Sequence, residues 1–448
     1  DPLLGYIHFT ALEVGIIDTK LFQRLRKIKQ LGLAHLVFPS LGYSRFEHSL
    51  GVLGRLNQIV NKLIENNLRN DPKDDLRTVI DDYLTPLRLA ALLHDFGHCL
   101  FSHCSERIIE KVEGNDIYPS AKKIQESYTR HFKKEKPIPF AEIFSVTIIG
   151  SRKFAEFVKR IDDVSARKSE RNLKLCGYFV LGLPSPDDPQ TVFLAQLISS
   201  GLDSDKIDYM NREQHYSGIK LEIDLDRILS KLQVFDLKYS QLPRNLESIK
   251  KIFGEGSTFK VLGFGKGGQF AFEEFCVARL ALNVKIYLHQ KVRAAESQLS
   301  TYLEIISKLP VLQEVHNWLK LPEAVIEYPE VILNEITKDS KTSLYDSVDN
   351  IRVDIKNTNF KKIDDRNLYF RAFAFGPINS LSERTIEIEN ESQNTVTEIE
   401  NFFSKFKESD LKTSIINEAR EISQILNLDI DENLFDKIVI DLPRLINI

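Results

Sequence analysis

The run Pro86-Leu87-Arg88-Leu89-Ala90-Ala91-Leu92-Leu93 constrains this chain more than any other segment. On a helix it is apolar nearly all round, and such a helix is stable only when other elements enclose it. It ends directly in the polar cluster His94-Asp95-Phe96-Gly97-His98. Polar groups delivered into an apolar interior must find partners there, since each unpaired one costs about 2–7 kcal/mol. The pattern predicts a buried helix starting after Pro86 and a polar site at its end.

The surrounding sequence supplies further helices to enclose it. Apolar residues at helical spacing predict one helix over Leu21–Leu31 with Gly32 as its stop, and another from Arg45 to Ile64. A helix is expected over about 140–160, a short strand over Leu173–Leu183, and a helix over Val192–Ser200. Two β-like runs flank Gly263–Gly268, which reads as a hairpin turn. It is not a phosphate-binding loop, because Lys266 is followed by two glycines and no hydroxyl. A long helix should run from Phe272 to Leu309. Strand-like pieces are expected over 325–390, and a charged helix over 393–427. The fold class is therefore mainly α: a helical core with small β elements and an α+β C-terminal region. A boundary near 310–322 separates residues 1–310 from 311–448, the latter a unit for oligomer or partner contacts.

With 448 residues, 42% hydrophobic and 28% charged, the chain is long enough to bury a large core and has no disordered-protein profile. A net charge of −4 gives no global field toward nucleic acid or anionic membrane. Four scattered cysteines (Cys99, Cys104, Cys176, Cys276) make no disulfide framework and read as reduced thiols of a cytoplasmic protein. No run approaches the roughly 18 apolar residues of a membrane span.

Four of the ten histidines (His48, His94, His98, His103) fall between residues 48 and 103. His94 and Asp95 can share one ion if it sits beyond the helix end; Asp205 adds a carboxylate from a distant segment. Two imidazoles with two carboxylates suit Mn²⁺, Fe²⁺, Ni²⁺ or Zn²⁺, and Mg²⁺ less well. If the helix continues past His94, His98 faces the same way four residues on.

In the order H…HD…D, His48, His94-Asp95 and Asp205 resemble the signature of the HD superfamily of metal-dependent phosphohydrolases. The segments Phe22-Gln23-Arg24-Leu25-Arg26, Arg45-Phe46-Glu47-His48, Phe101-Ser102-His103 and Asp203-Ser204-Asp205-Lys206-Ile207-Asp208-Tyr209 resemble its deoxynucleoside triphosphate triphosphohydrolase branch. That branch includes a vertebrate enzyme joining a SAM domain to an HD domain; no SAM domain is expected here. The resemblance implies that His48, His94, Asp95 and Asp205 hold the metal, and that His98, His103 and Arg45 contact phosphates and serve catalysis. It implies that Gln30 and Leu31 touch the sugar and that Lys206 and Tyr209 bind phosphate. Arg279, Tyr287 and His289 match a fainter pattern on one helix, and Asp18, Gln23 and Arg26 match a regulatory nucleotide site between subunits. The implied substrate is a (d)NTP, and the implied assembly a homo-oligomer.

One departure stands out. Family members carry a His-Glu pair that opens a later helix, and here the corresponding residues are Ala141 and Glu142. His131, in the preceding segment, is the one nearby histidine that could stand in. Three readings follow: a dNTP triphosphohydrolase, an HD phosphodiesterase or nuclease on cyclic nucleotides or nucleic acid, and a nucleotide-sensing protein without turnover.

Overall fold

The structure, a computed structural model, describes residues 1–320 except 74, 115–118, 163–164, 222, 244–245 and 308–309. The readings over 325–390 and 393–427, and nearly all of 311–448, lie outside the described residues. Those that are described are mainly α-helical with one two-stranded sheet.

Helix α1 (Ala11–Ile17) opens with a capping box between Thr10 and Glu13. Helix α2 (Lys20–Gln23) runs into a 3₁₀ turn, Arg24–Lys27, and the backbone becomes extended at Ile28. The helix expected through Leu31 stops early because the backbone pairs elsewhere. Arg45 N donates to Ile28 O at 2.8 Å, Gln30 N donates to Tyr43 O at 3.1 Å, and Lys29 bridges Ser44. Helix α3 (Arg45–Asn70) starts as expected, with a Ser44–Glu47 capping box, and runs on past Ile64.

Helix α4 (Leu76–Leu93) contains Pro86 instead of starting after it. Proline removes one hydrogen bond, and the apolar residues buried on both sides of it, including Leu76, Ile80 and Leu87 to Leu93 apart from Arg88, offset that loss. Helices α5 (His103–Ile109), α6 (Ala121–His131), α7 (Phe140–Ile149) and α8 (Arg152–Ile161) follow. The single helix expected over 140–160 is two, divided at Gly150-Ser151, where Ser151 caps α8. Helix α9 (Ala166–Val180) replaces the strand expected over 173–183. Leu173, Cys176, Phe179 and Val180 are buried at helical spacing, and the helix packs on α4.

Helices α10 (Val192–Ile198), α11 (Ser204–Ser217) and α12 (Leu225–Lys231) lead into strand β1 (Leu232–Lys238). After α13 (Glu247–Lys250), strand β2 (Thr258–Phe264) pairs antiparallel with β1, Val234 opposite Leu262. Gly263–Gly268 is therefore no hairpin. It ends β2 and turns, with Gly267 at φ +85°, into α14 (Gln269–Leu282). The long helix expected to Leu309 is divided by a π-helical turn, Asn283–Tyr287, before α15 (Gln290–Ile306). Helix α4 lies between α3 and α9, and α11 crosses α3, so the ends of α4, α3 and α11 meet. No described helix is long and apolar enough to cross a membrane.

Candidate metal centre

Each of those helix ends delivers a side chain. His48, fully buried, comes from the second turn of α3, His94 caps the C-terminus of α4, Asp95 follows in the turn, and Asp205 lies in the first turn of α11. His48 Nε2 lies 2.9 Å from Asp205 Oδ1 and 3.8 Å from Asp95 Oδ2; His94 Nε2 lies 3.4 Å from Asp95 Oδ1 and 3.9 Å from Asp205 Oδ1. The four sequence-predicted metal residues thus converge from three elements.

The hydrogen bonding of the two imidazoles fits a cation. His94 Nδ1 is 2.8 Å from the Ala91 carbonyl, which makes it the protonated nitrogen and leaves Nε2 a lone pair. That Nε2 is buried without a hydrogen-bond partner. His48 Nδ1 is held by Asp208 Oδ2 at 2.9 Å, so in a neutral ring Nε2 also presents a lone pair, facing the Asp205 carboxylate. Lone pairs facing a carboxylate require positive charge between them, either a proton or a metal ion. The pKa shifts say the same. Burial opposes a charged His48, yet the hydrogen bonds and charges of Asp205 and Asp208 raise its pKa to about 10. Burial likewise opposes ionised Asp95, but Arg45, His94 and His98 hold it well below the usual carboxylate range.

A second layer, largely hidden from sequence spacing, positions these groups. Asp208 is completely buried and takes Arg212 Nε at 2.6 Å as well as His48. Gly51 on α3 faces this pair, and any β-carbon there would collide with Asp208 and Arg212. Arg45 donates from Nη1 to Asp95 Oδ2 at 2.5 Å and from Nε to Ser102 Oγ at 2.9 Å, so much of its fork is committed to orienting Asp95. Ser102 adopts φ +50°, a strained conformation for a residue with a side chain. Arg24 donates to the carbonyls of His98 and Phe96 at 2.6 and 2.8 Å, clamping the turn that carries Asp95. From the other side, Ser145 Oγ accepts from Gly97 N and donates to His94 O.

Gly97 lets α7 approach that turn. A β-carbon at 97 would meet the Ala141 carbonyl and the Ser145 amide, backbone atoms that cannot swing aside. Gly97→Ala is expected to destabilise the fold by about 1–3 kcal/mol and to weaken metal binding. Urea midpoints and metal titration check this, and an unchanged midpoint would refute it.

His98 does not share the direction of His94, because α4 ends at Leu93 and the chain turns. Instead its Nε2 is 3.1 Å from Asp95 Oδ1 and its Nδ1 2.7 Å from Glu106 Oε1. His103 is 76% exposed and lies 3.2 Å from Glu106 Oε2. Glu106 therefore joins the two histidines. Ala141 is buried where the family histidine is expected, and Glu142 beside it has its pKa raised to about 7 by burial, against the pull of Lys134. An unfolded glutamate titrates near ~4.3, so ionising Glu142 lowers stability as pH rises from there through about 7. Glu142→Gln is expected to leave stability unchanged at about pH 4 and to raise it by on the order of 1–3 kcal/mol at about pH 8. Urea midpoints at the two pH values are the check; equal shifts at both would count against it.

The remaining predicted residues divide into those near this cluster and those apart from it. Gln30 Oε1 is buried without a partner, and Leu31 is buried. Lys206 Nζ pairs with Asp203 at 2.7 Å. Burial raises the pKa of Tyr209 against the opposing charge of Arg279. Tyr287 OH donates to the buried Glu213 Oε1, a partner that sequence spacing did not single out. His289 lies beyond the π turn, not on one helix with Arg279, and its ring packs edge-on to Phe38. Gln23 accepts from Arg26 Nε at 2.6 Å, the Arg26 guanidinium sits 3.6 Å over the Phe46 ring, and Asp18 is exposed. His131 is exposed at the end of α6 with its ring against Phe132. All four cysteines are free.

Known proteins share part of this sequence. Residues 45–166 match the HD domain family, a span that opens at the first residue of α3 and includes His48, His94 and Asp95. That stretch of the chain is similar to the HD domain. It is similar to the deoxynucleoside triphosphate triphosphohydrolase SAMHD1 of Mus musculus, 30% identical over 254 residues that cover 53% of this chain and 34% of the mouse protein. It is also similar to the uncharacterized protein YwfO of Bacillus subtilis, 26% identical over 322 residues, 69% of this chain and 55% of that one. A crystal structure of a hypothetical protein from Aquifex aeolicus, 26% identical, matches with a TM-score of 0.50 over 78% of this chain and 72% of that one. The chain spans about half the length of the curated relatives it matches.

Proposed function

We propose that this protein is a metal-dependent phosphohydrolase that splits a deoxynucleoside triphosphate into deoxynucleoside and triphosphate. The observation that carries the reading is the buried, unpartnered Nε2 of His94 facing His48, Asp95 and Asp205. Those four residues would hold the ion. A divalent ion there supplies Lewis acidity toward a phosphoryl oxygen and lowers the pKa of water. Two imidazoles and two carboxylates favour Mn²⁺, Fe²⁺, Ni²⁺ or Zn²⁺ over Mg²⁺.

The chain's own groups do the rest. Arg45 fixes Asp95, and His98, held between Asp95 and Glu106, keeps a proton at hand for a leaving oxygen. Glu142, protonated up to about pH 7 and within electrostatic reach of His98 and Glu106, supports proton supply where Ala141 leaves no histidine. Lys206 and Arg279 provide cations for phosphates, and Gln30 an open acceptor for a sugar hydroxyl or base amine. The similarity to SAMHD1 directs the substrate choice toward dNTPs.

A nucleotide-sensing protein without turnover is the second reading, and Ala141 favours it. The test is incubation of metal-loaded protein with each dNTP and NTP, singly and in pairs, followed by chromatography. Nucleoside plus triphosphate is expected. Saturable binding without products would favour the sensor, and turnover of cyclic nucleotides or oligonucleotides alone would assign a different phosphodiester substrate.

A further inference from the structure

We propose that His98, His103 and Glu106 form a second divalent-ion site, of the kind that takes Zn²⁺, whose occupancy inhibits turnover. Among the described residues, two groups bring donor atoms of three His, Cys, Asp or Glu side chains within 4.8 Å of one another. One is His48, His94 and Asp205 of the centre described above; the other is His98, His103 and Glu106. The second group is built locally. His103 and Glu106 stand three positions apart on α5 and so share a face. The turn after α4 brings the His98 ring within 5.4 Å of the His103 ring.

The sign that marks the first centre recurs here. Glu106 Oε1 lies 2.7 Å from His98 Nδ1, both atoms are buried, and neither makes a hydrogen bond. On the other side of the ring, His98 Nε2 faces Asp95 Oδ1 at 3.1 Å. In a neutral ring the proton therefore sits on Nε2, and Nδ1 presents a lone pair to Glu106. A carboxylate behind the ring and a free lone pair in front are what orient a ligating histidine. Glu106 Oε2 lies 3.2 Å from His103 Nδ1, so one carboxylate spans both imidazoles. Two imidazoles and one carboxylate are the protein share of an open zinc site, with a fourth position left for water. An ion with bonds of about 2.0–2.2 Å sets its donor atoms roughly 3–3.5 Å apart, so these three side chains need little adjustment to admit one.

The two centres differ in access. His48 is completely buried, whereas His103 is 76% exposed, so the second ion reaches solvent directly and is the more weakly held. Its effect on turnover rests on the phosphohydrolase reading above, in which His98 supplies a proton. An ion on Nδ1 occupies the lone pair that the spare proton would take, and His98 then has none to give to a leaving oxygen.

The test titrates Zn²⁺ into the chelator-treated full chain and counts bound ions by equilibrium dialysis and elemental analysis. Wild type is expected to take two ions per chain, the second more weakly than the first. His103→Ala, which removes an exposed side chain, and Glu106→Gln should each weaken the second ion by at least about tenfold and leave the first in place. Asp205→Ala should do the reverse, losing the first ion and keeping the second. Circular dichroism confirms helix content, and His103→Ala carries the test alone if Glu106→Gln fails to fold. Zinc buffered to fill the second site should slow dNTP turnover by wild type, with a midpoint that matches the second dissociation constant. A single ion in wild type, or a second one unaffected by His103→Ala, would overturn the site. Unchanged turnover at two ions per chain would overturn its inhibitory role. Absence of turnover at any loading would instead overturn the phosphohydrolase reading, and the ion counts would still decide the site.

Discussion

Asp205→Ala is expected to empty the metal site and lower phosphohydrolase activity by at least about 10³-fold, since the ion supplies several kcal/mol of charge stabilisation and each 1.4 kcal/mol is a decade in rate. Burial disfavours the charged form of Asp205, but its hydrogen bond to His48 and the charges of His48, His94 and Lys206 hold its pKa below the usual range. It is the one carboxylate in contact with both imidazole Nε2 atoms from a separate helix, so its loss leaves His48 and His94 without the charge that joins α11 to the centre. The backbone should survive, because His48 stays anchored through Nδ1 to Asp208. Elemental analysis and turnover of the same preparation check this. Full metal occupancy with unchanged turnover would show that the ion, if bound, lies elsewhere.

Asp208→Ala should be the most destabilising single change near the site. It strips a completely buried arginine of its main partner and unfastens His48 Nδ1 together with it. Removing one member of a buried ion pair typically costs about 3–5 kcal/mol. Arg212 keeps a contact of 2.7 Å to the Asp1 carboxylate, which places the expected loss at the lower end. Metal affinity should fall about 10–100-fold as well, the usual effect of losing the group that orients a ligating histidine. Urea midpoints and metal titration measure the two effects separately. A loss under about 1 kcal/mol would mean that the pair is solvated and not the buried bridge described above.

Much of this site was legible because its chemistry is written in short stretches. The apolar run before His94 required burial, and the neighbouring His94-Asp95 pair required an ion or other partners at the helix end. The resemblance then connected them to His48 and Asp205. Asp208 and Arg212 left a fainter trace. They follow Asp205 at helical spacings of three and seven, a same-face pattern that reads equally well as a surface salt bridge until α3 is seen packed over it. Arg24 lies in a segment that carries the resemblance, but neither its role nor that of Ser145 could be read from spacing, because each acts on backbone carbonyls or amides from a segment remote in sequence.

The fold was misread where tertiary contacts overrode local pattern. Leu21–Leu31 has helical spacing, but pairing of residues 28–30 with 43–45 draws the backbone out of the helix. Pro86 looked like a start signal, yet burial on both sides of it holds α4 together through the missing hydrogen bond. Leu173–Leu183 is apolar enough for a strand; the groove beside α4 makes it a helix.

The sequence by itself determined that a buried helix ends in His94-Asp95 and that the chain must supply partners for them, because desolvating those groups unpaired is prohibitively costly. Only the tertiary structure decided which atoms would face an ion. Nδ1 of His48 and of His94 are occupied by Asp208 and by a backbone carbonyl, which turns both Nε2 atoms toward Asp95 and Asp205. That choice depends on how α3, α4 and α11 cross, a geometry set by packing at long range that no local spacing encodes.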